Sequence, residues 1–484
     1  MSSNLEGFKP ENLWKHFAEL LKIPHCSGNE KGIGDYVLNF ARGLNMEAER
    51  DGVGNVLVRK KASPGKENAP VVILQGHNDM VCEKNSDVDF DFSTDAIKAV
   101  IDGDWVRAQG TTLGADNGIG LAASLAIMED DSLVHGPLEF LFTVEEETGL
   151  TGATHIKSDF LKGKILLNLD SEDEGEFTIG CAGGADTQIF LPLSRKSASD
   201  GVLYIVKISG FKGGHSGVDI NLGRANAIKS MARVLWQANK AVPFQLVGFE
   251  GGNLRNAIPR ESTALILLDE SKTDAFSDAS RKAFDFIRNE YKSIDPNAAI
   301  SIDRSNLDHE APLDEKSQQA LINLLFTIPH GIIAMHPEIK ELVETSTNLA
   351  VIHTLKDKAE IICSTRSSIA SALEAVRDVI SAQCETSGAE VIQEEGYPGW
   401  KPNLDSPLLK TMKEIYQDTF DKKPNVAAIH AGLECGIIGE KFEGMDMISF
   451  GPTIKFPHSP DEKVEISTVD KFWVFLTKVL EDLA

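Results

Sequence analysis

Short apolar runs in this chain repeatedly end in side chains able to hold a metal ion or move a proton. The run at 71–75 leads into Gly76-His77-Asn78-Asp79, and the run at 138–144 into Glu145-Glu146-Glu147. The run at 164–169 ends in Asp170, and the run at 447–451 leads to Pro457-His458-Ser459-Pro460-Asp461. A fifth segment, Thr111-Thr112-Leu113-Gly114-Ala115-Asp116-Asn117-Gly118, opens a helix of small residues at 118–128. Runs that lack polar alternation suit strands covered on both faces. Such strands interleaved with helices predict an α/β layered fold.

The first segment has this alternation. Trp14, Phe17, Leu20 and Leu21 fall on one helical face that stops before Pro24. Ile33, Tyr36, Val37, Phe40 and Leu44 repeat it after Ser27-Gly28-Asn29. Strands are predicted at 55–59, 71–75, 138–144 and 164–169. From about residue 195 the pattern changes. Strands at 202–209, 244–249, 264–268 and 299–303, with helices at 224–238 and 275–291, give a β-α-β-β-α-β order. Strands at 349–353 and 359–364, a helix at 369–384 and a strand at 390–393 echo its second part. The last ~90 residues return to α/β style, with a strand at 447–451 and an amphipathic terminal helix bearing Phe472, Phe475, Leu476, Val479 and Leu480. The expected organisation is a catalytic domain at 1–194 and 397–484, interrupted by an inserted α+β domain at 195–396 made of two related halves.

A chain of 484 residues exceeds a single core, which rarely grows past about 250–300 residues. Its 73 Asp and Glu against 48 Lys and Arg leave a net charge of −25, which argues against nucleic acid as a partner. No apolar stretch approaches the ~20 residues of a membrane span, and the start MSSNLEGFKPENLW lacks the basic and apolar regions of a signal peptide. The six cysteines, at 26, 82, 181, 363, 384 and 435, form no CxxC pair and read as reduced core thiols. A cytoplasmic location is expected.

Taken singly, a His or Asp at a strand end is more often a structural hydrogen-bonder than a ligand. The Glu145–Glu147 run is harder to dismiss, since three adjacent carboxylates repel one another and a nearby cation would remove that repulsion. Repeated strand ends that all finish in such groups point to a metal centre.

Those residues in that order identify a resemblance. The chain resembles the metallopeptidase family of carnosinases, aminoacylases, glutamate carboxypeptidases and bacterial dipeptidases, and within it the aminoacyl-histidine (Xaa-His) dipeptidase branch. The matching segments are 76–81, 113–118, 146–149, 168–170, Gly213-Gly214-His215-Ser216-Gly217, His430-Ala431-Gly432-Leu433-Glu434-Cys435-Gly436 and 457–460. The resemblance implies a three-layer αβα catalytic domain with a mixed sheet, carrying the inserted domain as a lid. It implies two divalent metal ions, zinc by preference, with cobalt or manganese as alternatives. His77 and Asp170 would hold one ion, Glu147 and His458 the other, and Asp116 both. Glu146 would be the general base, and Asp79 the carboxylate that orients His77. Relatives often show Asp-Glu-Glu where this chain has three glutamates. The family's Glu-Glu-x-Gly pattern, matched on Gly149, implies Glu146 as base and Glu147 as ligand, with Glu145 in support.

In the inserted domain, His215 matches a histidine that steadies the substrate's oxyanion, and Asn256 a substrate-binding asparagine. Arg366 matches an arginine that grips the C-terminal carboxylate, for which a planar guanidinium is well suited. Gly432 would let substrate backbone approach closely. His430 is a further substrate-side candidate, and the role of Glu434 is open. The Asp116–Asn117 peptide bond is expected to be cis, as the resemblance implies.

The function so implied is hydrolysis of dipeptides of the Xaa-His type, β-alanyl-histidine included. An N-acyl amino acid deacylase or carboxypeptidase on the same scaffold is the alternative, which Asp170 disfavours because those relatives tend to carry glutamate there. A catalytically inactive binding protein is a third reading, disfavoured because every ligand and Glu146 are present. Expected partners are a small peptide and, in a possible homodimer, a second chain that lends no catalytic group.

Overall fold

The computed structural model describes residues 5–197 and 201–484. Contacts divide them into two compact units. One runs over Met1–Cys181, Trp400–Ala428 and Leu433–Ala484, the other over Ala182–Gly399 and Ile429–Gly432.

The first unit is built on an eight-stranded mixed sheet. Its strand order is Glu47–Arg50, Val56–Lys60, Leu138–Thr143, Val72–His77, Ile165–Asn168, Asp446–Ser449, Glu176–Cys181 and Asn425–Ile429. The middle four run parallel, and antiparallel strands flank them. Every residue of Leu138–Thr143 and Val72–His77 is buried, as apolar runs without alternation require. The helix Ala115–Glu129 packs close to this sheet because its residues are small. A Cβ on Gly120 would meet the carbonyl oxygen of Leu169 at 2.8 Å, and one on Gly118 would meet the Phe17 ring at 3.0 Å. The terminal helix Ile466–Asp482 buries Phe472, Phe475, Leu476, Val479 and Leu480, with Phe475 stacked on Phe177 at 5.2 Å. Among the described residues no helix is long and apolar enough to cross a membrane.

The second unit is built on a nine-stranded sheet, in which eight strands form an internal duplication and the ninth, Gly331–Met335, pairs with Val343–Thr354. The strand Val202–Ser209, helix Ala227–Ala241, strands Gln245–Gly251 and Ser262–Leu268, helix Thr273–Glu290 and strand Ala299–Arg304 make one half. The strand Gly183–Pro192, helix Glu315–Thr327, strands Val343–Thr354 and Lys358–Ser367, helix Ala370–Ser387 and strand Glu390–Gln393 make the other. Counted from its outer edge, each half has its strands in the order fourth, first, third, second. The two second strands meet antiparallel at Glu250↔His353 and Gly251↔Ile352, closing one sheet. The first half is inserted between the first strand and first helix of the second.

Two expectations need correction. The domain boundary lies at 181/182, not 194/195, because Gly183–Pro192 pairs along its whole length with Lys358–Ser367. That strand alternates buried and half-buried residues from Ala185 to Leu191, unlike the wholly buried strands of the first sheet. The returning boundary lies at 399/400 in place of 396/397, with Ile429–Gly432 rejoining the second unit. The cysteines are also not all thiols, since Cys26 and Cys82 form a disulfide. The Met80 N–H donates to the carbonyl of His25, and Cys26 bridges to Met80, which brings the two Cα atoms to 5.7 Å. Cys181, Cys363, Cys384 and Cys435 are buried free thiols.

Candidate metal centre

Parallel strands deliver their C-terminal ends to one edge of a sheet, where α/β folds collect functional groups. In the first unit that edge receives His77 at the end of Val72–His77, Glu146 and Glu147 just beyond Leu138–Thr143, and Asp170 just beyond Ile165–Asn168. The Asp116–Asn117 bond is cis, and Asp116 (φ −82°, ψ 111°) departs from helical geometry. His458 stands in the loop after the short strand Ile454–Lys455, at φ 60°.

Asp116 turns one oxygen to each histidine. Its Oδ1 lies 3.2 Å from Nε2 of His77, and its Oδ2 lies 3.3 Å from Nε2 of His458. Asp170 Oδ1 is 3.2 Å from the same His77 nitrogen, and Glu147 Oε2 is 3.0 Å from His458 Nε2. Ligand atoms of His77, Asp116 and Asp170 lie within 4.8 Å of one another, as do those of Asp116, Glu147 and His458. Asp116 thus belongs to two ligand sets. Glu146 joins His77 and Glu147 in a third.

The electrostatics call for cations. Hydrogen bonds to Asp116 and then Glu147 push His458 up to about 11. Burial opposes protonation of His77, yet Asp170, Asp116 and Asp79 hold its pKa well above the ordinary value. Burial pushes Asp170 up to about 7, with Asp116 adding to the rise against His77. Burial likewise drives Glu146 well above the usual carboxylate range. Asp116 is held well below that range, against burial, by His458 and His77. Among the described residues, Oε1 of Glu147 is buried with no hydrogen-bond partner. Carboxylates crowded around two imidazoles, with buried lone pairs left over, fit divalent ions coordinated by oxygen and nitrogen.

Other side chains fix these groups. Asp79 Oδ1 is 3.3 Å from Nδ1 of His77, and its Oδ2 accepts the Ser27 hydroxyl at 2.7 Å. Glu145, at φ 50°, donates its N–H to Glu30, and no metal set includes its side chain.

Sequence reasoning left two carboxylates here without a role. Glu434 is buried, accepting from Gln75 Nε2 at 2.6 Å and Thr143 Oγ1 at 2.7 Å, while Asn168 Nδ2 donates to Gln75 Oε1 at 2.5 Å. These contacts tie together the three strands that carry His77, Glu147 and Asp170. Glu462 is buried and receives four backbone N–H groups at 113–116. It lies in the same segment as His458, although nothing in the local pattern sets it apart from a surface acid.

The second unit gathers the remaining candidates. Burial, then the Arg366 charge, lowers the His215 pKa, and the same two causes hold His430 at about 4, with His215 adding to the effect. Arg366 donates to the Tyr397 hydroxyl at 2.8 Å, and His430 Nε2 lies 2.7 Å from the Ser346 hydroxyl. The carbonyl of Asn256 accepts the Ser216 N–H at 2.7 Å, bringing that residue beside the His215 loop. A Cβ on Gly432 would come within 2.7 Å of the Tyr397 ring, so a glycine here also serves the packing around Arg366.

The mixed sheet and its crowded ligand sets define a metal-dependent hydrolase. Residues 73–482 match the peptidase family M20/M25/M40, and the chain belongs to that family. It is 42% identical over 482 residues to the cytosol non-specific dipeptidase of Escherichia coli, covering 99% of each chain. It superposes on the aminoacylhistidine dipeptidase of Vibrio alginolyticus with a TM-score of 0.93 at 41% identity, over 100% of this chain and 99% of that one. The aminopeptidase PepT of Bacillus cereus shares the fold, with a TM-score of 0.59 at 17% identity over 98% and 99% of the two chains.

Proposed function

We propose that this peptidase hydrolyses dipeptides, preferring those with C-terminal histidine, by means of water activated at two zinc ions. The observation that carries this reading is Asp116, placed with one oxygen toward His77 and the other toward His458. His77 and Asp170 would hold one ion, Glu147 and His458 the other, and Asp116 both. Two such ions would supply Lewis acidity and lower the pKa of a water molecule. Glu146 takes a proton from the attacking water and gives it to the departing amine, a task suited to a carboxylate whose pKa lies above its usual range. Asp79 holds the His77 imidazole through Nδ1. Arg366 grips the substrate's terminal carboxylate, His215 donates to the developing oxyanion, and Asn256, His430 and Gly432 shape the substrate's seat.

Both close relatives are named as dipeptidases, one non-specific and one for aminoacyl-histidine substrates. The first is named as cytosolic, and we place this chain in the same compartment. A panel of dipeptides, tripeptides and N-acetyl amino acids, assayed after metal removal and again with zinc, cobalt or manganese, tests the reading. Dipeptides should be cleaved fastest, Xaa-His and β-alanyl-histidine foremost among them, with zinc restoring the activity. Faster turnover of N-acetyl amino acids would replace this reading with the deacylase. In any homodimer each chain supplies its own catalytic groups, so mixing His215→Ala and Glu146→Gln chains should restore no activity.

A further inference from the structure

One buried carboxylate holds the turn that carries Asp116. Oε2 of Glu462 accepts the N–H groups of Leu113 and Gly114 at 2.7 and 3.0 Å, and Oε1 accepts those of Ala115 and Asp116 at 2.8 and 3.3 Å. The side chain is 2% exposed and forms no ion pair among the described residues. Burying a carboxylate is costly unless its lone pairs are met. Here four donors meet them at the start of a helix, where N–H groups have no intrahelical partner. The turn itself cannot be rebuilt easily. Gly114 sits at φ +72°, and a Cβ there would lie 2.9 Å from the Met80 sulfur.

Glu462 also belongs to the chain segment that carries His458, four residues earlier, and its own N–H donates to the Ser459 carbonyl at 3.0 Å. A single side chain therefore ties the His458 loop to the Asp116 turn, across a gap where Asp116 Oδ2 and His458 Nε2 stand 3.3 Å apart. The third member of that ligand set, Glu147, is held separately, through its N–H to Asp79. His77 and Asp170 follow directly from adjacent sheet strands and need no such tie.

We propose that Glu462 is a positioning residue that sets the distance between Asp116 and His458 and so determines occupancy of the metal site at Asp116, Glu147 and His458. The inference rests on the two-metal reading above. Loss of Glu462 should weaken that site well before the site at His77, Asp116 and Asp170.

Metal-free wild-type protein and Glu462→Gln, titrated with zinc by calorimetry, test this. The amide keeps the size of the side chain but turns an N–H₂ toward two of the four N–H groups. Wild type should bind two ions. The variant should weaken one site about 10- to 100-fold, the range for losing a group that orients a ligand, and the other by much less. Equal weakening of both sites, or two unchanged sites, would overturn the proposal. Wild type that binds fewer than two ions would overturn the two-metal reading, and this inference with it. If Glu462→Gln does not fold, Glu462→Asp serves in its place. It keeps the charge but falls one methylene short, and the same selective loss is expected, with the same outcomes against it.

Discussion

Asp79 meets the imidazole Nδ1 of His77 twice, through its backbone carbonyl oxygen at 3.0 Å and its Oδ1 at 3.3 Å. The same carboxylate accepts the backbone N–H of Glu146 at 3.0 Å and of Glu147 at 3.2 Å. It therefore orients the His77 ring and fixes the backbone of both glutamates at once. Asp79→Asn keeps the volume and removes the charge that steadies the imidazole. Metal affinity should fall about 10- to 100-fold, and turnover should stay depressed even with metal in excess, because the glutamates lose their anchor too. Wild-type affinity and turnover in this variant would refute the role.

Glu146 and Glu147 are adjacent, yet only Glu147 reaches His458, at 3.0 Å. Glu146→Gln should cut turnover by about 10²- to 10⁴-fold, the usual contribution of a general base, while metal content by atomic absorption stays near normal. Glu147→Gln and His458→Ala should each lose metal. The reverse pattern, with metal lost from Glu146→Gln and kept in Glu147→Gln, would shift both roles by one position.

The strand-end side chains were legible because each follows an apolar run whose length and lack of alternation suit a buried strand. The meeting of His77 with Asp116, 39 residues apart in sequence, has no local signal and came through the family resemblance. Glu462 and Glu434 were opaque for a physical reason. Their partners are backbone N–H groups and neutral amide and hydroxyl groups more than 290 residues away in sequence, with no oppositely charged neighbour in the local pattern to betray burial. Gly183–Pro192 was assigned to the wrong unit because a strand's sequence does not name its partner. Only the pairing with Lys358–Ser367 shows that it opens the second half of the duplicated sheet.

Cys26 and Cys82 stand 56 residues apart, and their bond joins the loop carrying Ser27 to the loop carrying Asp79. Protein denatured without reductant should show four titratable thiols, and six after reduction. Closing a loop of that length is worth about 4 kcal/mol in chain entropy. Cys82→Ser should therefore lower the unfolding temperature of the first unit under oxidising conditions and change little under reducing ones. Six thiols before reduction would mean that the pair is not bonded in solution.

His330 lies beside Lys229, whose ammonium donates to the carbonyls of Leu325, Phe326 and Ile328 at 2.9, 2.6 and 2.6 Å at the end of Glu315–Thr327. Burial, then the Lys229 charge, lowers the His330 pKa to about 3. An imidazole whose folded pKa lies below its unfolded value takes its proton only in the unfolded chain between those two values. Its contribution to stability is therefore present above about pH 6.5 and is lost as pH falls toward about 3. His430, at about 4, acts in the same direction. Relative to His330→Gln, which has no proton to gain, the urea midpoint of the metal-free wild-type protein should fall from pH 7 to 5. The contributions of His430 and of the carboxylates and histidines of the metal centre are common to both proteins and cancel in that difference. Equal slopes in variant and wild type over this interval would show that His330 titrates alike in the folded and unfolded chains.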